Sequence, residues 1–225
     1  VFLLDERRRR QLPNAITVGR LVLAAVFFAM LRFYEHGTVA MSWFLFTAGW
    51  VYGLAAATDW LDGHLARKWN VASLFGRVVD PFCDKILVLG TFVFFASEVF
   101  MHEGRNLTGV GPVVVTLLLS RELLVTTLRG LSEGGGDAMG AKQAGKLKMI
   151  FQSIAIPVVL VYVFALGWLE RGDALEIALR VLREIAVWGT VVVTLWSGWA
   201  YLPGRRSQEP EARSQSDDSE APLSD

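Results

Sequence analysis

The sequence predicts an all-α integral membrane protein of six transmembrane helices, and three observations carry that expectation. Of its 225 residues, 53% are hydrophobic, and they gather into about six segments long enough to cross a hydrocarbon core of roughly 30 Å. The 22 basic and 22 acidic side chains cancel overall, yet Lys and Arg concentrate near the N-terminus, after the second and fourth segments, and near the C-terminus. Four aspartates, Asp59, Asp62, Asp80 and Asp84, stand at helical spacings inside otherwise apolar stretches. A soluble globule with buried core helices is the alternative, and the length of the apolar runs weighs against it. The single cysteine, Cys83, excludes an internal disulfide and a cysteine-based zinc site, and reads as a small helix residue.

Residues 1–11 form a basic N-terminal segment in which Val1 to Leu4 precede Arg7 to Arg10. That order is the reverse of a cleaved signal peptide, so the first helix is expected to stay. The arginines read as a cytoplasmic flank drawn to anionic head groups rather than as a nucleic-acid-binding arm. The membrane domain is expected over residues 12–202. Pro13-Asn14 opens the first span, which reaches about Phe33 and carries Thr17 and Arg20 in its first turns. Arg20 either snorkels to the interface or meets a phosphate.

After a turn at Glu35-His36-Gly37, the second span, about 41–69, carries Asp59 and Asp62, with Trp60 as an interfacial anchor and His64 solvated. The third, about 75–101, carries Asp80 and Asp84, and Pro81 marks a kink. The fourth, about 110–131, contains Arg121-Glu122 and Arg129; Arg121 belongs either to a structural ion pair or to a fork on a phosphate. Gly140 to Lys146 copies most of a P-loop, but Leu147 replaces the required hydroxyl residue and no strand precedes it. Lys146 and Lys148 instead open the fifth span, about 149–168, as a cationic helix mouth. An amphipathic interfacial helix over 174–184 precedes the last span, about 185–202. Residues 203–225 are too polar to bury a core and read as a disordered tail. Both termini and the aspartate site are expected on the cytoplasmic side of the cell's inner membrane, where Lys and Arg concentrate.

The aspartates are costly where they are. One at the centre of a membrane helix costs about 3 kcal/mol, so four would cost on the order of 10 kcal/mol without neutralisation. Asp59 and Asp62 are three apart and Asp80 and Asp84 four apart, so each pair projects from one helix face. Facing helices would offer four carboxylates to one point. Such oxygen ligands suit a hard divalent cation, and Mg²⁺ keeps positions open for water and phosphate. Helix-end aspartates at a wet interface are the plainer alternative.

A longer pattern surrounds them: Asp59-x-x-Asp62-Gly63-x-x-Ala66-Arg67, eight residues, Gly76, three residues, Asp80, three residues, Asp84. It resembles the signature of the CDP-alcohol phosphatidyltransferase family, integral membrane enzymes that move a phosphatidyl group from a CDP-linked lipid to an alcohol. The resemblance implies two Mg²⁺ or Mn²⁺ ions, one held by Asp59, Asp62 and Asp80 and the second by Asp59, Asp80 and Asp84, with Asp84 as general base. It implies further that Gly63, Ala66 and Gly76 leave room for the nucleotide lipid and that Arg67 balances its pyrophosphate.

Pro13-Asn14-x-x-Thr17-x-x-Arg20 is similar to the opening of the branch of the family that uses a phosphorylated glycerol, which adds Asn14, Thr17 and Arg20 to the lipid-binding set. Gly145-Lys146-Leu147-Lys148 with Gln152 is similar to that branch too, although Met149 stands where a small polar residue is expected. Arg121, Arg129, Lys146 and Lys148, with Lys142, then form a basic mouth for an acceptor phosphate. The substrates expected are CDP-diacylglycerol and sn-glycerol 3-phosphate, among membrane lipids, with room for a homodimer. Serine, inositol, inositol phosphate or phosphatidylglycerol as acceptor stays open. So does a non-catalytic membrane binder or transporter, because intramembrane carboxylates also mark ion pathways.

Overall fold

The computed structural model describes the backbone of residues 6–69, 74–134, 142–170 and 172–199, with side chains described over 15–58, 82–128, 130, 147–170 and 172–199. Six α-helices account for most of these residues: α1 (Glu6–Arg32), α2 (Val39–Trp69), α3 (Leu74–Phe95), α4 (Pro112–Gly134), α5 (Lys142–Ala165) and α6 (Ala174–Trp199). They pack in the pairs α1 with α2 and α3, α2 with α5, α3 with α4, α4 with α6, and α5 with α6. The links 33–38, 96–111 and 166–173 lie at one end of the bundle, called here the far end. The last turns of α2 and the first turns of α3, which carry the aspartate pairs, lie toward the other.

Each helix buries a stripe of residues three and four apart, as a single inward face requires. On α1 the stripe is Thr17, Arg20, Ala24, Phe27 and Leu31, and on α2 it is Leu45, Ala48, Tyr52 and Ala55. The stripes close into one apolar core that includes Phe27, Ala48, Phe92, Leu118, Val159 and Val187. Thr91 and Thr190 are buried as well; their hydroxyls donate back to Leu87 and Ala186 on their own helices, and that of Thr190 also approaches the Phe151 carbonyl of α5 at 3.3 Å, so neither leaves a polar group unsatisfied. The outer faces are apolar on all six helices: Val22, Trp50, Val93, Leu123, Ile154 and Trp196 are exposed, one from each.

Among the described residues, three helices are long and apolar enough to cross a membrane, α1 over 15–32, α2 over 39–58 and α5 over 147–165. On α6, described throughout, Glu176, Arg180, Arg183 and Glu184 charge the first half of the helix.

The expected boundaries need three corrections. Helix α1 begins at Glu6, ahead of Pro13, because the arginines are good helix formers and extend it. Helix α3 stops at Phe95, well before Met101. Its last carbonyl, a group every helix end leaves without an internal partner, accepts from Asn106 Nδ2 at 2.8 Å and Thr108 Oγ1 at 2.7 Å. The chain then makes a 3₁₀ turn at Glu98–Phe100 and a small antiparallel hairpin, β1 (Met101–His102) with β2 (Arg105–Asn106). Its two turn residues, Glu103 and Gly104, both have positive φ (50° and 74°), as a tight two-residue hairpin turn demands. Finally, α6 is one unbroken helix; no interfacial helix ends at Glu184, since nothing before Gly189 weakens it.

Charge on the first half of α6 ties the far end together. Arg183 Nη1 donates to the Leu107 carbonyl at 2.7 Å, and the guanidinium lies over the Tyr162 ring, 4.5 Å from its centroid. Tyr162 donates to Glu176 at 3.0 Å. Gly109 makes this possible, with φ of 72° and a Cβ position only 2.9 Å from Arg183 Nε. Gly109→Ala therefore incurs a left-handed backbone cost of about 1–2 kcal/mol and displaces Arg183 as well. We expect it to lower the thermal unfolding temperature of the detergent-purified protein. Gly111→Ala, with negative φ and open space, should leave that temperature near wild type; equal behaviour of the two variants would refute the role given to Gly109.

Candidate active site

The site is built where the inward stripes reach the aspartate end. The α2 stripe through Tyr52 and Ala55 continues in helical register to positions 59, 62 and 66, because the helix is unbroken to Trp69. On α3, Leu87 and Thr91 are buried, and the same row runs back through 84 to 80, within a helix that continues past Pro81. Positions 59, 62, 80 and 84 thus lie on rows that face the interior of the bundle further along the same helices. The side chains of Asp59, Asp62, Gly63, Ala66, Arg67, Gly76 and Asp80 lie outside the described residues, as do those of Asn14, Trp60, His64, Arg129, Lys142 and Lys146, all of residues 203–225, and the P-loop-like stretch 140–146 except for its helical backbone from Lys142.

Asp84 is described. It is partly buried and acts electrostatically on the buried phenol of Tyr52 across the α2–α3 gap. Cys83 beside it is buried. Thr17 and Arg20 are both buried on α1, so Arg20 does not reach outward to an interface. Arg20 points into the same interior as Asp84's helix, against which α1 packs. Among the described residues, no three His, Cys, Asp or Glu side chains come together.

The basic residues do come together. Arg121 of α4 donates from Nη1 to Glu122 at 3.2 Å and from Nη2 to Ser197 of α6 at 2.8 Å. Lys148 of α5 is hydrogen-bonded to the same Glu122 oxygen. Lys85 of α3, the residue after Asp84, lies 3.5 Å from the other Glu122 oxygen and donates to Thr126 at 2.9 Å. Arg121 is therefore buried and in an ion pair, the first of the two readings its position allowed. Gly198 leaves room for it, since a Cβ there would lie 3.0 Å from Arg121 Cγ. Gln152 is buried one turn beyond Lys148 on the same face of α5.

Glu122 as a shared centre, Lys85 as a member and Ser197 as a partner were not foreseen. The bonds that define them join residues 26, 41 and 76 apart. Tyr52 had a legible signal, because it stands seven residues, two helical turns, before Asp59. A separate polar hollow of about 620 Å³ opens at the far end, where Arg32, Glu35, His36, Glu98 and His102 mix both signs of charge. It is remote from the aspartates and is not the site.

Residues 10–196 match the CDP-alcohol phosphatidyltransferase family. The chain belongs to that family. The match covers all six helices of this phosphatidyltransferase apart from the first turn of α1 and the last residues of α6. Among curated relatives, the protein named CDP-diacylglycerol--glycerol-3-phosphate 3-phosphatidyltransferase from Bacillus subtilis (strain 168) is 30% identical over 197 residues, 85% of this chain and 93% of that one. The protein of the same name from Escherichia coli (strain K12) is 31% identical over 198 residues, 87% of this chain and 95% of that one. A Rickettsia typhi protein, again of that name, is 28% identical over 193 residues, covering 86% and 96% of the two chains. The matched residues take in the rows described above and the basic cluster on α3, α4 and α5.

Proposed function

We propose that the protein transfers the phosphatidyl group of CDP-diacylglycerol to sn-glycerol 3-phosphate, releasing CMP and forming phosphatidylglycerophosphate. The observation that carries this reading is the gathering of Arg121 of α4, Lys148 of α5 and Lys85 of α3, the helix of Asp84. An acceptor that brings its own phosphate needs such cations, whereas serine or inositol does not. The names of the relatives point the same way.

In this reading the acceptor hydroxyl attacks the phosphatidyl phosphorus, the bond from that phosphorus to the bridging oxygen breaks, and CMP leaves. Asp84 takes the hydroxyl proton. Arg20 and Thr17, buried on α1, face the nucleotide lipid together with Asn14, Gly63, Ala66, Arg67 and Gly76. The donor set of Asp59, Asp62, Asp80 and Asp84 is all carboxylate oxygen, which fits two hard divalent ions such as Mg²⁺ or Mn²⁺ and not a soft metal. When bound, those ions would offset the charge of the pyrophosphate.

All six helices cross the bilayer in this proposal. The shortest, α3, has 22 residues, hence ~33 Å at 1.5 Å per residue, and every helix presents apolar side chains outward. Lys and Arg near the aspartate end put that end and both termini in the cytoplasm.

The test is CMP release by purified protein supplied with CDP-diacylglycerol, Mg²⁺ and a panel of acceptors. Glycerol 3-phosphate should be used far better than glycerol, serine or inositol. Arg121→Ala and Lys148→Ala should raise KM for it about tenfold or more, with affinity for the nucleotide lipid much less changed. Equal use of glycerol and glycerol 3-phosphate, or faster transfer to inositol or serine, would remove the acceptor assignment and spare the phosphatidyltransferase one.

A further inference from the structure

Glu122 is an acid in the middle of a site meant for an anion, and its surroundings say what it does. One of its oxygens takes both Lys148 and Arg121, and the other faces Lys85 at 3.5 Å. Three cations from three helices share this one carboxylate. A phosphate monoester carries about −1.5 to −2 at neutral pH and would find three donors there. Without a counter-ion, three cations this close would drive one another apart; Glu122 keeps them together in the absence of substrate.

The four side chains differ in how they can be reached. Arg121, Lys148 and Glu122 are 6%, 8% and 12% exposed, whereas Lys85 is 38% exposed. Lys85 is thus the member that an incoming anion meets first. Its ammonium is steered by Thr126, and its backbone neighbour is Asp84. An anion held by Lys85 is thereby fixed relative to the carboxylate that is to accept the hydroxyl proton.

We propose that Lys85 is a further acceptor-binding residue, donating to the acceptor phosphate, and that Glu122 is the positioning residue that holds Lys85, Arg121 and Lys148 in place before the acceptor arrives. This rests on the phosphorylated-acceptor reading above and adds a specificity element to it. Because Lys85 is tied to Asp84 along the chain, the pair sets the reach between phosphate and reacting hydroxyl, and an acceptor of the wrong length cannot satisfy both.

The full-length purified protein tests it through KM for glycerol 3-phosphate, KM for CDP-diacylglycerol, and inhibition by inorganic phosphate as the probe of the anion site. Lys85→Gln should raise KM for glycerol 3-phosphate about tenfold or more and weaken phosphate inhibition in proportion, with KM for CDP-diacylglycerol within about twofold of wild type. Lys85→Arg should restore most of the loss, which also shows that position 85 tolerates change. Glu122→Gln, which keeps the shape and removes the charge, should raise KM for glycerol 3-phosphate without a matching rise for the lipid. An unchanged acceptor KM in Lys85→Gln, a loss in kcat alone, or an equal rise in KM for both substrates overturns the role of Lys85. An unchanged acceptor KM in Glu122→Gln overturns the role of Glu122. A wild type that neither uses glycerol 3-phosphate nor is inhibited by phosphate overturns the acceptor reading itself and this inference with it, a result separate from any obtained with the variants.

Discussion

Asp59→Asn or Asp80→Asn is expected to abolish CMP release while leaving the protein folded and inserted. The two positions lie on facing-row registers of α2 and α3, and by the family pattern each touches both ions of a two-metal site. Four carboxylates balance the charge of two divalent cations. A carboxamide keeps the size of the side chain and loses the charge, and neither ion then has its full set of anionic ligands. Metal stabilisation of charge is worth several kcal/mol, and each 1.36 kcal/mol is tenfold in rate, so a loss of roughly a thousandfold or more follows. CMP release from CDP-diacylglycerol, measured alongside circular dichroism and elution from a sizing column, is the check. Near-normal release by either folded variant would rule out the two-metal assignment.

Asp84→Asn should lower kcat by about a hundredfold to ten-thousandfold, the usual contribution of a positioned base, and disturb lipid binding much less. Asp84 is partly buried and shares a helical row with the buried residues Leu87 and Thr91. Its neighbour Lys85 supplies a cation on the side from which the acceptor would come. Binding of CDP-diacylglycerol and turnover per bound substrate separate the two roles open to this carboxylate. If binding disappears while turnover per bound substrate stays unchanged, Asp84 is a ligand and not the base.

Helix type and number were legible because apolar runs of this length admit little else. The ends were not. α3 is cut short by Asn106 and Thr108 reaching back to the Phe95 carbonyl, a contact over 11 and 13 residues that no helical periodicity records. The first half of α6 reads as amphipathic and so as separate from the span; two of its four charges in fact turn inward, Glu176 to Tyr162 and Arg183 to Leu107, and the helix runs on. Gly104 was the one local cue to the hairpin. For the site, the aspartate pattern was visible because a signature is a matter of spacing along one chain. The hub at Glu122 was not, because it exists only where α3, α4 and α5 meet. Arg20, placed either at the interface or inside, is inside, and its complete burial is a tertiary fact.

The apolar core bears on electricity as much as on packing. A membrane holding about 100 mV exacts about 2.3 kcal/mol for each elementary charge that crosses it, and any wet polar path would run that gradient down. A protein that keeps aspartates, arginines and lysines in its interior is a leak waiting to form. Phe27, Ala48, Phe92, Leu118, Val159 and Val187 fill much of that interior with hydrocarbon, and the hydroxyls of Thr91 and Thr190 bond to backbone carbonyls, Thr190 to one on α5 as well as one on its own helix, and not to charged side chains. Hydrocarbon between the far-end cluster around Arg183 and the basic cluster around Glu122 is what a protein of this kind sets against such a leak.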